Sequence, residues 1–495
     1  MANKYGLDLD SAWRQVLREA ASDEIVDVLR LEDSKLAWLQ IRAHLEDQLN
    51  ADSYRPAPPR LVEVPKDGFV VRPFARLAPR DWVVYEAVVA KLAPCIDHAL
   101  PDEVKSARLD KSARRPGNQI DAWIAFQAAG RALYVEDELG FMLSTDVSSY
   151  FEYVELGILI NDLRALPGID YQALNLLSSI LNEFVRSSDV WGLPQGPEAS
   201  AILGNFYLLP LDRELHQHPV KFVRYQDDIK ILADNKAVLR VALQHAIRIL
   251  RGRHLNVSVQ KTKMLEGPQI LDEFEDTRKD AIQYGIKIGS SDAPAQLRAL
   301  FEDATAVTPV KARDIRFAVY RLGKVEDDCA VAWILDHLPE VPYLSGLLVA
   351  YLSLNMATHP EIEDRTRTYL TDGNENVYPW VEFNLMRMFA RADSISDPTL
   401  DVVWATLRDG NKDLLVRQHA ARCVGRHARP GDIALLRQLF NQSTDATIQR
   451  ALLVAMTDAT HGHPDRAYLG AESVSHPNLE HTCAYLKSGA KIPDP

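Results

Sequence analysis

The sequence predicts an α+β region followed by an all-α region, the latter a HEAT-like array of stacked helix pairs. Three observations carry this. Up to about residue 270, short apolar runs of strand length alternate with amphipathic helical runs. Beyond residue 291 helix-length apolar stripes recur alone, broken by turns such as Asp409-Gly410-Asn411-Lys412 and Arg429-Pro430-Gly431-Asp432. The helix pairs are spaced by roughly 30 to 40 residues, the period of two-helix solenoid repeats, with no strict consensus repeating and a plain helical bundle as the alternative. With 495 residues the chain can build two or three cores. The expected divisions are a helical lead-in over 1–60, a mixed region over 61–270, a linker over 271–290 and the helical array over 291–495.

In the lead-in, Trp13, Val16, Leu17, Ile25, Val28, Leu29, Leu36, Trp38, Leu39, Ile41 and Leu45 supply the apolar face of helices. The Pro-rich stretch Tyr54 to Arg60 then links it to Val64-Pro65-Lys66, Val71-Arg72-Pro73 and Pro79-Arg80-Asp81. Further on, Lys105, Arg108, Lys111, Arg114 and Arg115 cluster, and the cluster reads equally as a nucleic-acid groove or a solvated loop.

Phe141 to Phe151 is an apolar strand that delivers Asp146 at its end and an aromatic residue five positions later. Gly192-Leu193-Pro194-Gln195-Gly196-Pro197-Glu198-Ala199-Ser200 is a Pro/Gly turn opening a helix from about Ala199 to Leu208. Phe222 to Leu232 reads as a hairpin with Gln226, Asp227 and Asp228 at its turn. A helix from Asn235 to about Leu250 buries Val238, Leu239, Ala242, Ala246, Ile249 and Leu250, and Leu255 to Lys263 follows with Lys261 in it. Adjacent aspartates at a turn repel each other, so a divalent cation is their natural occupant. Two-metal phosphoryl transfer needs carboxylates from separate strands, which Asp146 and Asp227 would supply.

These segments, in this order, resemble the motifs of reverse transcriptases, and specifically the bacterial defence-associated and abortive-infection groups. Asp146, Leu193 to Ser200, Tyr225 to Asp228 and Leu255 to Lys261 match four successive palm motifs, and the segment around Lys66, Arg72 and Arg80 looks like the fingers. The resemblance covers roughly residues 60 to 270 and implies a right-hand polymerase of fingers and palm. It implies that Asp146, Asp227 and Asp228 are catalytic and hold two Mg2+ ions, or Mn2+ in their place, with the Val147 carbonyl as a further ligand. Lys66 and Arg72 would clamp the triphosphate, Gln195 would contact the nucleotide and Phe151 would exclude a 2′-hydroxyl. Lys261 would protonate the pyrophosphate.

The match has departures. Where intron-encoded and retron enzymes carry Gln-Gly-Ser-Pro, this chain has Gln195-Gly196-Pro197-Glu198, which looks like the defence-associated branch. After Gly267 there is no intron-type thumb and no ribonuclease H pattern. The helical patterns that follow, at Ala312 to Leu322, Ala330 to Leu338, Tyr343 to Leu354, Val377 to Ala390, Leu400 to Leu407, Leu414 to His427, Ile433 to Phe440 and Ala446 to Thr457, fit the C-terminal α-repeat domain of some defence enzymes.

Charge narrows the partners. Lys and Arg number 56 against 69 Asp and Glu, a net of -13, whereas a protein that grips long duplex presents excess positive charge. Residues 61–270 hold 24 basic and 26 acidic residues, and 271–495 hold 24 and 32. A short enclosed product, or priming from a protein hydroxyl such as Tyr5 or Tyr54, suits that balance. The four cysteines, Cys95, Cys329, Cys423 and Cys483, are dispersed and read as buried free thiols. His216-Gln217-His218 and His461-Gly462-His463 are close pairs without a third ligand, so no histidine metal set is expected. With no long apolar run and no signal-peptide pattern, the chain is expected to be soluble and cytoplasmic.

The resemblance implies dNTPs as substrates, DNA as product, a partner non-coding RNA, a homo-oligomer and a role in antiphage defence. Three alternatives remain: a retron or intron-like RNA-templated enzyme, an RNA-dependent RNA polymerase, for which a small or polar residue in place of Phe151 is expected, and a degenerate palm serving as an RNA or protein adaptor.

Overall fold

The computed structural model describes residues 3–66, 69–110, 117–188 and 190–495. The chain divides into two compact units, one of Met1–Glu19, Leu39–Leu61 and Pro73–Asp276, the other of Ala20–Trp38, Val62–Arg72 and Thr277–Pro495. In chain order, helices α1 (Leu9–Ser22), α2 (Glu32–Leu36) and α3 (Trp38–Asn50) precede strands β1 (Arg60–Pro65) and β2 (Val71–Arg76), which pair with each other. Helices α4 (Pro79–Ala99) and α5 (Gln119–Val135) lead to β3 (Phe141–Asp146). Helices α6 (Leu156–Arg164), α7 (Tyr171–Arg186), α8 (Glu198–Tyr207) and α9 (Leu209–Leu215) come before the hairpin of β4 (Lys221–Tyr225) and β5 (Asp228–Ala233). Helix α10 (Lys236–Gly252), strand β6 (Lys263–Glu266) and helix α11 (Gln269–Phe274) complete the first unit.

The first unit is organised by an antiparallel sheet in the order β4-β5-β3-β6. Its register sets the faces. Leu143 pairs with Ile231 and Thr145 with Ile229, so one face is apolar, and α10 contacts both strands with Leu239, Ala242, Ala246 and Leu250 buried at helical spacing. Asn235 caps that helix by accepting hydrogen bonds from the Ala237 and Val238 amides at 2.9 and 3.0 Å. The other face changes character along its length. Met142 and Leu232 are fully buried with Ile270, packed by Leu133, Tyr134 and Phe274, whereas the opposite end carries Ser144, Asp146, Asp228 and Lys230. Burial of each such aliphatic side chain contributes about 1.5–3 kcal/mol, which anchors the sheet at one end and leaves the polar end to be shaped by charge.

The second unit is helical apart from its share of β1 and β2. The helices Ala312–Lys324, Ser345–Asn355, Pro379–Arg391, Leu414–Arg426 and Ala446–Ala459 form a row in which each touches the next. Between the last two of these the approach is close enough that a Cβ at Gly425 would lie 2.4 Å from the Ala455 carbonyl oxygen. Residues 271–290, expected as a linker, are largely helical, with α12 (Thr277–Lys287) following α11, and a helix at Glu361–Thr371 has no counterpart in the sequence expectations.

The expected lead-in over 1–60 is divided between the units. Residues 20–38 belong with the C-terminal helices because the largely buried Arg450 guanidinium meets Asp27 at 2.7 Å and Asp33 at 2.8 Å, and Thr482 donates to Asp33 at 2.7 Å. Arg422 also donates to the Val28 carbonyl, and His419 pairs with the Val26 carbonyl at 3.0 Å. A buried cation left without these acceptors would cost several kcal/mol, which fixes the segment in place. The cysteines differ in part from expectation: Cys423 and Cys483 are buried, but Cys329 is exposed.

Candidate active site

The hairpin between β4 and β5 turns at Gln226 and Asp227. Asp228 is the first residue of β5 and pairs with Tyr225, so it stands in the strand and not in the turn as the sequence suggests. Gln226 has a φ of 53°, the left-handed region that two-residue hairpin turns demand and that costs a non-glycine residue free energy. The surroundings hold it there. Its amide donates to Ser106 Oγ at 2.7 Å, its Nε2 to the Ala201 carbonyl at 3.3 Å, and its own carbonyl accepts from Arg224 at 3.0 Å. Arg224 is itself buried and forked onto Asp212, with Nε to Oδ1 at 2.8 Å and Nη2 to Oδ2 at 2.5 Å. Sequence reading missed Arg224, although a charged residue inside an apolar strand two places before the turn is a usable signal.

Asp146 reaches the same place from β3, where it is the register partner of Asp228. Three carboxylates therefore converge. Burial, then the charges of Asp146 and Asp228, push the Asp227 acid up to about 6, and Lys261 opposes the shift. Asp228 is also raised by burial, against the pull of Lys230. Lys261 Nζ donates to Asp146 Oδ2 at 2.9 Å, so the fourth sequence motif closes onto the first. Backbone contacts hold the two together: Ser258 N donates to Asp146 O at 2.7 Å, Ser148 N to Asn256 O at 2.9 Å, and Thr145 and Thr262 hydroxyls pair at 2.8 Å. Val147 bridges Val257 between those two backbone bonds, neither of which uses the Val147 carbonyl.

Phe151 begins a short 3-10 turn directly after this strand end, and the Gly192 loop grips it. Leu193 N donates to Phe151 O at 2.8 Å, and a Cβ on Gly192 would fall 1.9 Å from that oxygen, so only glycine fits. Gln195 Nε2 lies 3.4 Å from Glu152 Oε1, and its carbonyl accepts from Ala75 N at 2.9 Å. The structure thus brings Asp146, Val147, Phe151, Gln195, Asp227, Asp228 and Lys261 into one unit. Lys66 and Arg72 belong to the other unit, on the β1–β2 segment, where Lys66 N donates to Val70 O at 2.7 Å.

A second layer of charge was not anticipated. Lys230, two residues beyond Asp228 on the same face, meets Asp228 at 2.9 Å, Glu273 at 3.0 Å and Ser144 at 2.8 Å, and Lys263 meets the other Glu273 oxygen at 2.7 Å. Strand alternation from Asp228 would have found Lys230. Glu273 comes from α11 and has no sequence signal. The basic cluster is partly structural: Arg108 is bound to Asp97 at 2.7 Å and Lys105 to the Asp102 carbonyl at 2.6 Å, while Lys111, Arg114 and Arg115 lie outside the described residues. Tyr54 is buried with its hydroxyl on Asp81 at 2.9 Å, which removes it as an accessible primer, and Tyr5 is bonded to Asp52 at 2.9 Å.

The histidine expectation is corrected here. His218 does have further partners: Glu214 at 3.1 Å and, through the same carboxylate, His245 at 2.8 Å. The third group was invisible in sequence because α10 brings it from 27 residues downstream.

Two aspartates paired across antiparallel strands, a third in the adjoining turn and a lysine on the neighbouring segment form an arrangement suited to the palm of a nucleotide polymerase. Residues 65–297, just under half of the chain, match the model of the reverse transcriptase (RNA-dependent DNA polymerase) family, and this segment is a reverse transcriptase domain, the domain of RNA-directed DNA polymerases. Protein YkfC of Escherichia coli (strain K12) is 23% identical over 272 residues, which is 46% of this chain and 68% of that protein. Among solved structures, telomerase from Candida albicans in complex with a fragment of telomeric RNA aligns at a TM-score of 0.34 and 10% identity. It covers 67% of this chain and 64% of its own. A partial Cas6-RT-Cas1–Cas2 complex aligns at 0.25 and 20% identity, covering 49% and 41%. TM-scores this low do not establish a common architecture over the aligned lengths. Among the described residues no helix is long and apolar enough to cross a membrane.

Proposed function

We propose that the protein is a reverse transcriptase that polymerises dNTPs with two divalent ions, Mg2+ by preference, and acts in antiphage defence. The observation that carries the catalytic part is the convergence of Asp146 and Asp228 on adjacent strands with Asp227 in the turn beside them, its acid pushed up to about 6 by burial and like charge. An all-oxygen, strongly anionic donor set of this kind fits a hard divalent cation. Asp146, Asp227 and the Val147 carbonyl would hold the ions, with Asp228 at the margin under the hold of Lys230. Bound ions of this type supply the charge that ionises the attacking hydroxyl and steadies the leaving pyrophosphate.

The chain's own groups do the rest. Lys261, whose side chain is 55% exposed, is free to leave Asp146 and deliver its proton to the pyrophosphate. Phe151, gripped by Gly192 and Leu193, offers its ring to the sugar and excludes a 2′-hydroxyl, while Gln195 orients the nucleotide. Lys66 and Arg72 clamp the triphosphate. The helical second unit, read as a HEAT-like array, serves as the surface for a partner non-coding RNA, the DNA product or further copies of the chain. The defence role and a protein-primed start rest on the resemblance of the motifs to defence-associated enzymes and on the net charge of -13.

Primer extension by the purified protein tests the reading. Native protein extends with dNTPs on an RNA template, or without one, and Asp227→Asn does not. Equal use of ribonucleotides would remove the role of Phe151. Activity surviving in Asp227→Asn would favour a scaffold function, and unchanged phage plating in cells carrying Asp227→Asn would remove the link between polymerisation and defence.

A further inference from the structure

We propose that Glu214, His218 and His245 bind one divalent transition-metal ion of the zinc type, in a structural site built on α9 and α10 and distinct from the aspartate cluster. The chain presents the ligand types such an ion selects, two imidazoles and a carboxylate, with their donor atoms all within 4.8 Å of one another. His218 Nε2 lies 3.1 Å and His245 Nδ1 2.8 Å from the same Glu214 oxygen, and the two rings stand 4.6 Å apart at 66°. Zinc bonds of about 2.0–2.1 Å place neighbouring tetrahedral donors ~3.4 Å apart, which the 3.1 and 2.8 Å separations from Glu214 approach, and side-chain rotation of the two imidazoles supplies the rest. Mg2+ would not choose this set, because it prefers oxygen ligands and keeps its water.

The positions of the three residues give the site a mechanical meaning. Glu214 lies in the last turn of α9, His218 in the turn three residues before β4 begins, and His245 within α10, which already packs on α9. An ion there would pin the entry of β4, the strand that ends in Tyr225 and the Gln226 turn, to the helix beneath the sheet. Access is adequate: the side chains are 18%, 14% and 36% exposed, which leaves an open side for the ion to enter and for water to complete the shell. Two imidazole nitrogens aimed at one oxygen form a hydrogen-bonded triad when both carry protons there, and a metal replaces those protons. Hydrogen bonding alone is therefore the competing account.

Zn2+ titration of untagged, chelator-stripped full-length protein against a chromophoric chelator distinguishes the two. The expected result is one tightly held equivalent in native protein and in Asp227→Asn. His461→Gln/His463→Gln keeps that equivalent, His218→Gln/His245→Gln loses it, and Glu214→Gln binds at least 10-fold more weakly. Cu2+ loaded into native protein should show electron-paramagnetic coupling to two nitrogens, a readout that does not depend on any variant folding. The same zinc stoichiometry in native and His218→Gln/His245→Gln, or a Cu2+ spectrum without nitrogen coupling, would overturn the proposal.

Discussion

Asp146 and Asp228 are register partners across β3 and β5, and each is held by a different lysine, Lys261 at 2.9 Å and Lys230 at 2.9 Å. The two lysines are not equivalent. Lys261 is more than half exposed and can swing away, whereas Lys230 is 5% exposed and locked between Asp228, Glu273 and Ser144. One carboxylate is thus guarded by a movable cation and the other by a fixed one.

That asymmetry predicts unequal aspartates. Asp146→Asn and Asp227→Asn should each lower primer extension by on the order of 10³-fold or more with unchanged circular dichroism. Asp228→Asn should cost less, because Lys230 already draws on its charge. Equal losses in all three would contradict the assignment.

Lys230 should be structural. Replacing it by Met leaves Asp228 and Glu273 without their shared cation, and since both acids are partly exposed and Glu273 keeps Lys263 the cost is about 1–3 kcal/mol, below that of a fully buried pair. Urea unfolding should report a loss of that order, whereas Lys261→Met should hardly change stability while it slows turnover. A stability change near zero in Lys230→Met would refute the distinction.

The metal dependence should follow Asp227. A carboxyl whose folded pKa stands near 6, above its unfolded value, opposes folding when ionised, and this cost is relieved as pH falls through 6. A divalent ion needs the ionised form. The rise in Tm on adding Mg2+ should therefore be larger at pH 7.5 than at pH 5.5, and should vanish in Asp227→Asn. An equal rise at both pH values counts against these ligands.

His419 gives the second unit its own acid sensitivity. Burial, helped by Arg387, pushes this imidazole down to about 3, so it stays neutral in the fold while the unfolded chain takes up a proton below about 6.5. Stability should fall as pH drops through that window, by about 1.4 kcal/mol per pH unit for a single group. Melting curves from pH 7 to 5 should show this slope in native protein and a shallower one in His419→Gln.

Gly192→Ala should displace Phe151, since the new methyl would fall 1.9 Å from the Phe151 carbonyl oxygen. Single-nucleotide incorporation should show reduced dNTP use together with weaker rejection of ribonucleotides. A variant with native discrimination would mean that the loop does not hold the ring.

The residues that touch in the sheet were readable because strand and turn patterns are local. Apolar runs at 141–146 and 222–232, the Gln226-Asp227 turn and the amphipathic helix after Asn235 all follow from period and turn chemistry within a dozen residues. Even there the register moved Asp228 from the turn into β5, because pairing with Tyr225 is decided by the partner strand and not by the residue's own preference.

What the sequence determined by itself was therefore most strands and helices up to residue 270, the order of the motifs and the segments that carry the three aspartates, all properties of short windows. The tertiary structure alone decided that Lys261 meets Asp146, that Glu273 closes the charge row, that Glu214 finds His245, and that residues 20–38 leave the lead-in for Arg450 in the helical unit. These are partnerships of charged and polar groups, several of them largely buried, between segments distant in sequence. Burial makes an unpaired charge costly, so the fold selects a partner from wherever the chain returns, and sequence separation carries no trace of that choice.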